Sequence, residues 1–339
     1  MTRKERVINT LNHKESDIIP YNVDFTSQEY DKIISYTGNK NFIDSTEIHL
    51  SYTQYWGWPT ELIDKKDHFK DEFGVVWNRS GADKDIGAVM KPVIFEPNIS
   101  LWQEPKLDEK RLRKEFKEII DNKQDKFAFA GIGFSMFERA WSLCGMENVL
   151  MNMIDEPDFT NDLLDTICEY NLKIIDIANE YPFDGFYFGD DWGQQKGLIM
   201  GPVFWREYIK PRMKRMYERA KKNGKYIIQH SCGDIHELFP DLIDIGLDCY
   251  QTFQPEIYDI EKIKNNYGND LTFWGGISTQ RLLPYATTEE VKRETIRIMR
   301  IMGKNGGYIA APTHAVPSDV PPENILAMLE VFMNQKKYL

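Results

Sequence analysis

Short apolar runs alternate with amphipathic helical stretches along most of this chain, and that rhythm constrains the fold more than any single motif. Runs at 127–132, 185–189, 225–229, 247–251, 271–276 and 307–311 read as buried strands, and Ile18 to Asp24 reads as an earlier one. Helical patterns at 136–153, 157–180, 202–223, 236–245 and 322–335 fall between or after them. Strands that alternate with helices pair in parallel. An eighth strand is expected between residues 45 and 95. About eight such units in 339 residues favour a closed (β/α)8 barrel over an open doubly wound sheet. No Gly-x-Gly-x-x-Gly follows the first strand, which disfavours a dinucleotide site. The runs Phe73–Asn78 and Gly87–Lys91, split by Ser80–Asp83, read as a hairpin excursion from the barrel. With no repeat, low-complexity segment or linker, residues 1–339 are expected to form one domain.

Composition narrows the partners. A formal net charge of −11 argues against nucleic acid and against an anionic membrane surface. No apolar run approaches the ~20 residues of a membrane span. Cys144, Cys168, Cys232 and Cys249 are scattered and suggest no disulfide framework. The charged N-terminus leads into an amphipathic helix, and the expectation is a reduced, cytoplasmic protein. The 8 Trp, 17 Tyr and 19 Phe exceed what core packing usually needs, so some are expected to line a pocket.

In a barrel the loops after the strands build the active site. Strand ends supply Asp24, Asp190, Asp191, His230, Cys232, Gln251, Gln254 and His314. His230 and Cys232, two residues apart at the end of one strand, offer imidazole nitrogen and thiolate sulfur, the ligand types of zinc. His314, just after the last strand, is the best-placed third ligand; Cys249 is an alternative, though it sits within a strand and suits the core. Adjacent strand residues face opposite ways, so at most one of Asp190 and Asp191 is expected to reach a substrate. Glu138 and Arg139, at a helix start, read as pocket residues or as an ordinary ion pair. A metal-free alternative is a hydrolase that pairs Asp191 with Glu138 or Glu256.

Phe188–Gly193, His230–Asp234, Trp274–Ile277 and the stretches Gly307–Ile309 through Pro321–Asn324 together resemble the uroporphyrinogen decarboxylase superfamily, over nearly the whole chain. The resemblance implies a (β/α)8 barrel. Its decarboxylase branch grips carboxylates with an arginine-rich N-terminal loop, but residues 20–27 here contain no arginine. Its zinc-dependent corrinoid methyltransferase branch uses a His-x-Cys…Cys motif, which His230 and Cys232 match; His314 stands near the place of the second cysteine. The resemblance implies zinc as cofactor and a separate corrinoid (cobalamin) protein as methyl acceptor. The expected reaction is removal of a methyl group from a small methoxylated, aromatic substrate. Asp24, Asp190 or Asp191 would supply the acid, and Trp56, Trp58, Phe134, Trp192, Tyr250 and Gln251 the substrate wall. Methylcobalamin:thiol methyl transfer and a metal-free lyase remain alternatives, and a homodimer is allowed for.

Overall fold

Seven parallel strands follow one another around a curled sheet in chain order: β1 (Leu50–Tyr55), β2 (Phe127–Ile132), β3 (Gly185–Gly189), β4 (Tyr226–His230), β5 (Cys249–Phe253), β6 (Thr272–Ile277) and β7 (Tyr308–Pro312). This computed structural model describes residues 1–81 and 84–339; Ala82 and Asp83, half of the expected break in the excursion, lie outside the described residues. The stretch around Tyr21 closes the ring. Tyr21 bridges Ala310 of β7 in parallel, and its carbonyl accepts the His49 N–H at 3.0 Å, just before β1. With that eighth stave the sheet is a closed (β/α)8 barrel. The strand expected between residues 45 and 95 is β1.

Alternation along the strands sets what points inward. On β1, Leu50, Tyr52 and Gln54 share one face: the first two pack in the barrel interior and the third lines the cavity above. On β4, Tyr226 and Ile228 do the same, and His230 tops the row. The interior is filled by rings. Tyr52 stacks on Phe129 at 4.7 Å between centroids, Phe129 on Tyr187 at 5.6 Å, and Trp274 meets Phe129 edge-on at 6.0 Å. Cys249 is fully buried among them, a core residue.

The excursion after β1 is larger than a hairpin. Thr60–Glu61, His68–Lys70, Val76–Asn78 and Ala88–Val89 form a four-stranded antiparallel sheet that folds over the mouth. A buried ion pair fastens it. Asp71 accepts from Arg139 Nη1 at 3.2 Å, Trp77 Nε1 at 3.0 Å and the Val75 N–H at 2.9 Å, while Arg139 Nη2 donates to the Trp56 carbonyl at 2.7 Å. Arg139 does not line the cavity at the barrel mouth; it ties the excursion to helix Phe137–Cys144. Removing one partner would leave a buried charge unpaired, which costs roughly 3–5 kcal/mol. No helix among the described residues is long and apolar enough to cross a membrane.

Candidate metal centre at the barrel mouth

A cavity of about 570 Å³ opens at the C-terminal ends of the strands, within the usual range for a small-molecule site. His230, His314 and Cys232 converge at its edge, their ligand atoms all within 4.8 Å of one another. Local backbone chemistry makes this possible. Gly233 holds φ +77 with its Cα pressed against Gly193, where an added Cβ would come within 2.3 Å of backbone. The Asp234 N–H then bonds the Gln194 carbonyl at 2.8 Å. The loop is held from behind by Tyr250, whose hydroxyl donates to the Ser231 carbonyl at 2.9 Å, and by Tyr258, which donates to Gly233 at 2.9 Å.

The donor set fits a borderline cation such as zinc, with two imidazoles and one sulfur. His230 Nε2 faces Cys232 Sγ at 3.6 Å and Asp191 Oδ1 at 3.3 Å. Its Nδ1 is engaged on the other side by the Gln251 amide oxygen, leaving Nε2 toward the cluster. Burial alone would lower the His230 pKa, but Tyr187, Cys232 and Asp191 outweigh it and raise it well above the ordinary imidazole value. Burial also raises the Cys232 thiol, a shift that a bound metal reverses by taking the thiolate.

The three candidate acids separate. Asp24 lines the cavity and accepts from Tyr52 Oη at 2.6 Å and Asn22 Nδ2 at 2.8 Å. Burial raises its pKa, and those two donors only partly offset this. Asp191 also lines the cavity; burial would raise it, but His230 and the Cys232 N–H, 2.7 Å away, hold it below the ordinary carboxylate range. Asp190 belongs instead to the scaffold. It is fully buried, and it accepts the N–H groups of Met136, Phe137 and Glu138 at 3.3, 2.9 and 2.8 Å, capping helix Phe137–Cys144, plus Trp192 Nε1. Burial lifts it to about 6 against those donors. Glu138 reaches the cavity, and burial, then the charges of Asp191 and Asp190, raise its pKa well above normal.

The aromatic wall is partly redrawn. Trp56 and Phe134 line the cavity, edge to face at 5.0 Å. Trp58 turns away, its Nε1 donating to Glu115 at 2.9 Å and its ring beneath Arg111. Trp192 is fully buried against Trp205, and Tyr250 is buried behind the loop at Ser231–Gly233. Their places are taken by Trp77, stacked on Phe134 at 5.3 Å, and by Tyr52 and Tyr187 from inward strand positions. Trp77 comes from the excursion, where no local pattern marks it. Tyr52 and Tyr187 were detectable from alternation once β1 and β3 had a register. Gln251 lines the cavity, Gln254 is buried without lining it, and Glu256 bonds Ser278.

Fold and site together define a parallel α/β barrel with a metal-capable cleft at its C-terminal mouth. The family model for uroporphyrinogen decarboxylase (URO-D) matches residues 81–334, and the chain belongs to that family. A curated relative, the methylated-thiol–coenzyme M methyltransferase of Methanosarcina mazei, is 23% identical over 191 residues, 56% of this chain. The chain spans about half the length of that relative, 49%. A solved methyltransferase from Methanosarcina mazei superposes with a TM-score of 0.71, over 99% of each chain at 16% identity; it attests the barrel fold.

Proposed function

We propose that this protein is a zinc-dependent methyltransferase that moves a methyl group from a small methoxylated aromatic ether to the cobalt of a separate corrinoid protein. The observation that carries the reading is a His-Cys-His donor set at the edge of a cavity that also holds a carboxylic acid and a ring-lined wall: His230, Cys232 and His314 beside Asp24, Trp56, Trp77 and Phe134. Methyltransferases among the similar proteins support the reaction class. Zinc held by these three residues would supply Lewis acidity beside the substrate oxygen. Asp24, whose pKa burial raises, is placed to deliver a proton to that oxygen as the methyl–oxygen bond breaks. The bonding pair stays on oxygen, the phenol leaves neutral, and the methyl group forms its new bond with the reduced cobalt of the acceptor. Trp56, Trp77 and Phe134 hold the ring and exclude water. Asp191 anchors the Cys232 N–H and faces His230, and so keeps the donor set together.

The second reading is methyl transfer involving a thiol, favoured by what the curated relative acts on. Thiol activation gains from an electron-rich site with two sulfurs, whereas this set has one. The test mixes the protein with a reduced corrinoid protein and methoxybenzene, then follows methyl–cobalt absorbance and free phenol. Methylation of a thiol from methylcobalamin, with no aryl ether consumed, decides for the second reading.

A further inference from the structure

Gln251 was expected to touch substrate, but its amide oxygen is already committed. It accepts from the Tyr187 hydroxyl at 3.1 Å and sits against His230 Nδ1, and the side chain is 8% exposed. An amide oxygen only accepts, so this contact requires the proton on Nδ1. In the neutral ring, the form that binds a metal, the lone pair then belongs to Nε2, the nitrogen that faces Cys232 Sγ. The tautomer and tilt of the imidazole are thereby fixed from the side away from the ligand cluster. Tyr187 adds a second constraint, because its ring sits on an inward strand position and cannot swing without disturbing the interior stack with Phe129. Metal-bound histidines commonly hand their second N–H to a partner, and a carboxylate there makes the ligand more basic. A neutral amide, shared with a phenol, pulls less on that proton. A cation held there would stay more electron-poor, which suits polarising an ether oxygen.

We propose that Gln251 is a positioning residue: it sets the His230 tautomer for metal binding, and, being an amide, it trades metal affinity for electrophilicity. This rests on the metal reading above. The test measures zinc affinity of the full chain by competition with a chromophoric chelator, for wild type, Gln251→Met and Gln251→Glu, with thermal unfolding as a check on folding. Methionine matches the shape without the acceptor and is expected to weaken zinc binding ~10–100-fold. Glutamate restores the acceptor and is expected to bind zinc at least as tightly as wild type; a merely packing role predicts no such rescue. The cobalt-substituted protein gives an independent signal, with visible bands that shift in the methionine variant and return in the glutamate variant. Methionine binding as tightly as wild type, or glutamate binding as weakly as methionine, overturns the proposal while leaving the metal reading intact. Wild-type protein that binds no zinc overturns both.

Discussion

Asp24→Asn separates the acid from its setting. Both carboxylate oxygens are occupied, one by the Tyr52 hydroxyl and one by Asn22 Nδ2. The substitution replaces one oxygen with an NH₂ group, which would face the Asn22 NH₂. Asn22 can resolve this by rotating its amide, because its Oδ1 is buried with no partner and would then accept. The hydrogen-bond count is preserved, so stability should change by no more than ~1 kcal/mol. The rate should not be spared. Losing a positioned general acid typically costs ~10²–10⁴-fold, roughly 3–5 kcal/mol of barrier. Burial raises the folded-state pKa of Asp24, so the folded chain holds this proton where the unfolded chain, with a value near ~3.9, releases it. The group's stabilising contribution is therefore full below that value and is lost as pH rises through the folded pKa. The variant lacks that loss, and its unfolding temperature should gain on wild type as pH rises across the window. Single-turnover methyl–cobalt formation and thermal unfolding at several pH values read both effects. Wild-type turnover would refute the acid role, and a destabilisation beyond ~2 kcal/mol would refute the amide rotation.

Three further outcomes are expected. Purified protein should carry about one zinc per chain, and Cys232→Ala should lose most of it on metal analysis. His314→Ala should lower zinc content sharply, whereas Cys249→Ala should cost only ~1–2 kcal/mol of unfolding free energy with zinc retained; the reverse pattern would displace His314 from the donor set. Asp190→Ala should destabilise by at least ~2 kcal/mol, since it strands three buried backbone donors and an indole N–H; an unfolding curve like wild type's would return Asp190 to the candidate acids.

The barrel was legible because its strands are continuous apolar runs with helical periodicity between them. β1, Leu50–Tyr55, escaped a firm assignment because polar Ser51, Thr53 and Gln54 interrupt it. The convergence of His230, Cys232 and His314 was readable from their places at strand ends, since a barrel gathers such residues wherever they lie in the chain. What strand ends do not reveal is side. Tyr250 and Gln251 are adjacent, yet one backs the loop at Ser231–Gly233 and the other lines the cavity. Asp190 and Asp191 divide in the same way. Trp58 and Trp192 were near the rim in sequence but turned into packing, and Trp77 entered the cavity through Asp71 and Arg139, a tertiary clamp with no local signature.

The stack of Tyr52, Phe129, Tyr187 and Trp274 below the cavity has a kinetic consequence. It floors the cavity with packed rings, so the doorway at the strand ends is the expected route in and out. A protein-borne methyl acceptor reaching the same cavity would stand in that doorway like a stopper. Small donor must then already be inside, and its demethylated remnant cannot leave until the acceptor lifts off. The expected pattern is compulsory order, donor first and phenol last, with phenol competing against donor but not against the corrinoid protein; random-order inhibition patterns would mean that the cavity has another way out.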